Sequence, residues 1–185
     1  GILNGVDTAA DRLIKTGNLI GTTMWLQNAN NTFASPIRID SGTVRVAVGS
    51  ALGLNTSTGQ IDLNNGTLEV RTDSVAGFAG RTVRLRNNTT GTIFADHDIT
   101  GGLSLGSGSL QNQTLALGAL IRDTGVSPAN FNYSGRNGYN ISFTSALPSA
   151  GDLRSWTINN NTNGTVTYTG NTWNTNATTA GTYTV

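Results

Sequence analysis

A glycine–threonine pair recurs at Gly21-Thr22, Gly42-Thr43, Gly66-Thr67 and Gly91-Thr92, with 21, 24 and 25 residues between successive glycines. That interval is the length of one solenoid coil. The two central copies match over six residues, Ser41-Gly42-Thr43-Val44-Arg45-Val46 against Asn65-Gly66-Thr67-Leu68-Glu69-Val70. The phrase returns as Asn163-Gly164-Thr165-Val166-Thr167-Tyr168, and the gap from Gly91 to Gly164 would hold three further coils. A chain built from stacked equivalent turns grows along one axis, and its natural products are rods and platforms for reach, display or assembly.

The hydrophobic pattern agrees with strands. Apolar and polar residues alternate in Ile37-Arg38-Ile39, Val44-Arg45-Val46, Ile61-Asp62-Leu63, Leu68-Glu69-Val70, Val83-Arg84-Leu85 and Ile93-Phe94-Ala95, the period-2 signature of a strand with one buried face. Glycine-rich turns separate these runs. Residues that favour helices are scarce: ten of the eleven cations are Arg and nine of the ten acids are Asp, while Gly, Asn and Thr abound. Such a mixture suits pleated strands and tight turns. The expected fold is therefore all-β, a single right-handed parallel β-helix over residues 1–185 with about seven or eight rungs. Val44, Val46, Leu68, Val70 and Ile93 should line its interior, with Val44 and Leu68 vertical neighbours.

The two ends read differently from the middle. Residues 2–14 have a loosely helical apolar spacing, so 1–16 is read either as an N-terminal cap or as an irregular leader. From 119 to 185 aromatics gather at Phe131, Tyr133, Tyr139, Phe143, Trp156, Tyr168, Trp173 and Tyr183, which predicts broader or more irregular rungs. The final Thr182-Tyr183-Thr184-Val185 reads as a strand without a turn or polar cap, and an uncovered strand edge invites pairing with another chain. Ile2, Leu3, Val6, Tyr183 and Val185 are thus the candidate assembly residues, for end-to-end self-association or for continuation into a longer chain. The sequence starts without an initiator Met, as expected for a processed product or a piece of something longer.

Composition excludes several functions. Charged residues make up 11% of the chain and the net charge is +1, too weak a field to gather nucleic acid. No apolar run approaches the ~20 residues of a membrane-spanning helix, so membrane insertion by this segment is not expected. Cysteine is absent, which removes disulfides and thiolate metal sites.

The order Leu13-Ile14-Lys15-Thr16-Gly17, Leu26, Asn31-Thr32-Phe33, Gly42-Thr43-Val44-Arg45-Val46 and Ser50-Ala51-Leu52-Gly53 resembles the passenger-associated transport repeat of bacterial autotransporters. The match runs from Leu13 to Gly53, with a partial second copy from Asn64 to Val70. It departs from the family pattern at Ala34-Ser35-Pro36, where a glycine-rich turn is usual. The resemblance implies a right-handed parallel β-helix at an extracellular or cell-surface location, and it supplies no catalytic residue.

Residue chemistry points the same way. The only histidine, His97, lies between Asp96 and Asp98, but adjacent strand residues face opposite sides, so it reads as a solvated turn rather than an acid–base group. Paired carboxylates for glycoside hydrolysis could come from Asp40 with Asp62, about one coil apart, or from Asp96 with Asp98. The simpler reading is a solvated outer face of weak Asp–Arg pairs. Arg81, Arg84 and Arg86 form the densest basic cluster, read as a strand face in solvent. Asn-x-Ser/Thr triplets at Asn30, Asn65, Asn88 and Asn140 are expected by chance in so Asn- and Thr-rich a chain. Trp156 and Trp173 are read as interior aromatics ahead of sugar-stacking platforms. No catalytic residue, cofactor or metal is expected. The chain is read as a non-enzymatic adhesin stalk or filament subunit, with a glycan or a host or biofilm surface as partner. The alternative is a polysaccharide-binding or polysaccharide-degrading β-helix.

Overall fold

The computed structural model describes residues 13–17, 22–55, 60–86, 88–97, 112–122, 129–147, 156–162, 164–170 and 181–184. Its strands are β1 (Leu13–Lys15), β2 (Thr23–Leu26), β3 (Ile37–Ile39), β4 (Thr43–Val46), β5 (Gln60–Leu63), β6 (Thr67–Arg71) and β7 (Thr82–Leu85). They continue as β8 (Thr90–Asp96), β9 (Thr114–Arg122), β10 (Ala129–Gly135), β11 (Asn140–Leu147), β12 (Trp156–Asn160), β13 (Val166–Gly170) and β14 (Gly181–Thr184). Odd-numbered strands up to β13, followed by β14, form one sheet, and the even-numbered strands from β2 to β12 form the other. The chain alternates between the sheets, one strand to each per turn, and among the described residues every pairing is parallel except β13 with β14. This is a parallel β-helix. Among the described residues the odd sheet stacks seven parallel strands, whose six steps of about 4.8 Å span about 30 Å.

Interior columns follow from the register. Met24, Val44, Leu68, Ile93 and Tyr133 lie above one another in the even sheet, and Leu26, Val46, Val70 and Ala95 form the next file. Ile37, Ile61, Val83 and Leu120 do the same in the odd sheet. Val44, Val46, Leu68, Val70 and Ile93 are wholly buried, as expected. Each rung thus shelters the apolar face of the next, while the parallel ladders satisfy the backbone on both sides.

The recurring glycine marks a corner. Gly42, Gly66 and Gly91 stand where the chain passes tightly from the odd to the even sheet, and the main chain links them rung by rung, Thr67 N–H to Gly42 O and Thr92 N–H to Gly66 O. A Cβ on Gly66 would sit 2.3 Å from Ile39 Cγ2, and one on Gly91 2.5 Å from Leu85 Cδ2; only glycine leaves room for the aliphatic column at that bend. Two copies depart from the expected alignment. Thr23 pairs with Thr43, so Thr22 rather than Gly21 lies against Gly42. Gly164 precedes β13, which belongs to the odd sheet.

That second departure exposes a change in the fold. From β3 to β8 the short corner runs from odd to even sheet and the long connection runs back. From β10 to β13 the arrangement is reversed: β10 leads to β11, and β12 to β13, through short corners, and the odd-to-even connections are the long ones. The switch occurs on β9, whose last three residues pair with β7 and whose longer N-terminal part pairs with β11. The interval from Gly91 to Gly164 therefore holds two and a half turns instead of three. One rung in it is long, Asn130 sitting 40 residues after its neighbour Thr90.

Strand length peaks in the middle of the stack: β8, β9, β10 and β11 have 7, 9, 7 and 8 residues, against 3 to 5 in β1 to β7 and 5 in β12 and β13. At the other end, Leu13 and Ile14 belong to a strand paired with β3, not to a helical cap.

Candidate functional site

With the interior sealed by apolar side chains, chemistry can reside only on the outer faces and the turns. The odd sheet carries an outward column Ile14, Arg38, Asp62, Arg84, Ile121. Asp62 has no exposed surface. It accepts hydrogen bonds from Arg84 Nε at 2.9 Å and Arg84 Nη2 at 3.2 Å, and from Arg86 Nη2. The near-coil spacing that suggested Asp40 beside Asp62 does not match the register: Arg38 is the partner of Asp62, and Asp40 receives Asn64 Nδ2 from the next rung at 2.7 Å and Arg38 Nε at 2.5 Å. Asp40 and Asp62 are thus in different columns, each engaged with arginine.

The even sheet has a second ladder. Trp25, Arg45, Glu69 and Phe94 stack outward. Arg45 Nε bonds Glu69 Oε2 at 2.8 Å, Arg71 Nε bonds Glu69 Oε1 at 2.7 Å, and Arg71 Nη1 bonds Asp96 Oδ2 at 2.6 Å. Arg71 and Arg136 lie over the Phe94 ring, 4.6 and 5.7 Å from its centroid, and Arg45 lies 5.8 Å from that of Trp25. Burial alone would raise the Glu69 carboxyl; the hydrogen bonds and charges of Arg45 and Arg71 outweigh it and hold the group below its ordinary 4.5.

Three expectations about exposure are corrected. His97 is 7% exposed, next to a buried Asp96 whose Oδ1 accepts the His97 N–H and Asn137 Nδ2, so it is no solvated turn. Arg81 is 2% exposed and leaves the supposed basic cluster altogether. Its guanidinium donates to the carbonyls of Gly77, Leu52 and Gly53. Desolvation brings its pKa down to about 10, so it remains cationic at neutral pH. Arg84 and Arg86, in turn, are both committed to Asp62.

Arg81 belongs to a pile of turns on the long side of the N-terminal rungs. Asn31, buried, donates from Nδ2 to Ala51 O at 2.8 Å, and Asn55 Nδ2 reaches Ala79 O at 2.6 Å. Gly49–Leu52 form one 3-10 turn. Gly53 follows with φ 77°, and a Cβ there would lie 2.2 Å from Phe33 O. A shallow cavity of about 390 Å³ opens over these turns, lined by Asn30, Asn31, Thr32, Asn55 and Arg81 among others.

Of the remaining candidates, Tyr183 pairs with Tyr168 in the antiparallel β13–β14 ribbon, so the far edge of β13 is occupied by the chain itself. Ile2, Leu3, Val6, Val185, Asp98 and Trp173 lie outside the described residues, as does the side chain of Trp156. Asn30, Asn65 and Asn88 are exposed, while Asn140 Oδ1 accepts the Thr165 N–H from the rung above. Among the described residues no group of three or more His, Cys, Asp or Glu gathers, and no helix is long and apolar enough to cross a membrane. No family model, no curated protein and no solved structure matches the chain.

Proposed function

We propose that this β-helix is a non-enzymatic structural segment of a secreted or surface-displayed bacterial protein, working as an adhesin stalk or as a subunit of an extracellular filament. The observation that carries the reading is the use made of the acids. Asp62, Glu69 and Asp96 each lie buried against arginines of their own or an adjacent rung. They bolt neighbouring rungs together, each spent on arginine where glycoside hydrolysis would hold a pair of carboxylates ready for substrate. The resemblance to autotransporter passenger repeats supports a surface location. Strand edges at both ends, β1 and β2 at one and β12 and β14 at the other, are where copies or the rest of a longer chain would join.

Electron microscopy and sedimentation of the purified chain test this. Rods whose length grows with concentration are expected from a filament subunit, and short rods of constant length from a stalk. Release of reducing ends from a panel of polysaccharides would sink the non-enzymatic reading.

A further inference from the structure

The ion-pair ladders leave one part of the even sheet unexplained. The register sets Thr23, Thr43, Thr67, Thr92, Asn132 and Asn159 in a single file, one residue per rung along the whole sheet. Alternation turns all six outward. A second uncharged file runs beside it, two residues upstream: Thr90 lies against Asn130, and Asn65 Oδ1 accepts the Thr90 N–H. Side chains of successive rungs hold one another in line, Asn159 Nδ2 on Asn132 Oδ1 at 2.8 Å and Asn130 Nδ2 near Thr90 Oγ1 at 3.4 Å.

The core does not use these groups, and the strands need no capping at their middles. The corresponding outer column of the odd sheet is charged at its centre and apolar at its ends (Ile14, Arg38, Asp62, Arg84, Ile121). The even sheet instead offers uncharged hydroxyls and amides, each both donor and acceptor, repeated at the rung spacing of about 4.8 Å. A low wall borders them, formed by Trp25, 38% exposed, and the mutually neutralised Arg45 and Glu69.

Each feature narrows the occupant. A polyanion would find little cationic field among the described residues of this face, since Arg45 and Arg71 are spent on Glu69 and Asp96 and Arg136 lies over the Phe94 ring. An added peptide strand needs unpaired backbone, and the backbone beneath this face is paired on both sides. A polymer of neutral sugars meets the requirements: a repeat close to one rung, hydroxyls that donate and accept, and apolar ring faces for an indole to cover. We infer that the outer face of the even sheet binds an extended, neutral polysaccharide lying along the rod axis, about one sugar per rung. This rests on the rod being a surface scaffold and not on its self-assembly.

The test is calorimetric titration of the intact chain with neutral β-linked glucose and N-acetylglucosamine oligosaccharides of two to six units, with polygalacturonate as the anionic comparison. Affinity should rise with oligomer length, Thr67→Arg should lower it at least tenfold, and Trp25→Ala several-fold. Thr82→Arg, outward on the opposite sheet, should leave it unchanged. Thermal melting of each variant reports folding, and Thr92→Arg replaces Thr67→Arg if the latter does not fold. No binding of any neutral oligosaccharide, binding indifferent to Thr67→Arg or Thr92→Arg, a preference for polygalacturonate, or a face that ignores sugars and retards ice growth would each overturn the inference. Sedimentation of the same samples reads assembly separately, so a strictly monomeric chain that binds sugar removes the filament reading alone.

Discussion

The N-terminal rungs, β1 to β8, and the C-terminal ones, β9 to β13, share a hydrogen-bond pattern and solve its packing differently. In the first, the tight corner leads from odd to even sheet, the strands before β8 are short, the strand interior is mostly Val, Ile and Leu with Phe33 and Phe78 buried in the turns, and arginine–carboxylate ladders tie the outside. In the second, the tight corner has moved to the other side, β9 to β11 are long, and rings fill the interior beside them. Phe131 meets Phe143 edge-on at 5.5 Å, and Phe143 stacks on Tyr168 at 5.4 Å. The phenols are not idle: Tyr133 donates to Tyr139 O at 2.8 Å, and Tyr139 donates to Thr72 O across the rungs. Longer strands leave more interior volume to fill, and rings fill it here, because interiors leave no voids.

The largest expected effect falls on the aromatic half. Phe143→Ala removes a ring wedged between two others and should cost about 4 kcal/mol. Because stacked rungs touch only their neighbours, amide exchange should quicken in β9 to β13 while β3 to β6 stay protected. Uniform loosening would show that the halves form one cooperative unit. Next comes the ionic half: Asp62→Ala leaves Arg84 and Arg86 without their shared carboxylate and should cost about 3 kcal/mol in denaturant melts, with loosening centred on β3, β5 and β7. A loss below about 1 kcal/mol, the range of an exposed pair, would reduce the ladder to ornament.

Smaller effects separate the halves by pH. Burial raises all three tyrosines, Tyr139 to about 12. A phenol whose folded pKa lies above its unfolded value contributes stability that is intact below the unfolded value near 10; for Tyr139 it is lost as pH climbs from there to about 12. Stability should thus fall between pH 10 and 12, and Tyr139→Phe should lessen that fall, Tyr133 and Tyr168 keeping the rest, at a cost of about 1 kcal/mol at neutral pH. Glu69 works in the other direction. Its lowered pKa gives stability that is present above 4.5 and lost as pH falls through the folded value. Glu69→Gln should therefore blunt the acid response of the N-terminal rungs and leave the alkaline limb untouched.

Strands and interior columns were legible because period-2 alternation and a coil-length repeat are direct prints of pleat and rung. The Gly-Thr phrase was legible as a corner but not as a side of the molecule, since a tight bend beneath a neighbouring rung demands the same residue wherever it falls. Hence Gly164 looked like another copy of Gly66 when it stands on the opposite corner. Burial of His97, Arg81 and Asp62 was hidden for a related reason. Each is polar and lies in or beside an alternating run, and what covers it comes from another rung, distant in sequence, whose register the spacing alone did not give. The neutral file of the even sheet could have been found by writing the sequence in rows one coil long, had Asn132 not followed the longest rung.

That long rung has a practical meaning. Between Asp96 and Thr114 the chain runs further than at any other passage from the even to the odd sheet, yet β7 still finds β9 and β8 still finds β10 in parallel. A scaffold that tolerates so unequal a detour is a ready carrier for grafted peptides, with cargo inserted at that joint and the coils on either side serving as its pedestal.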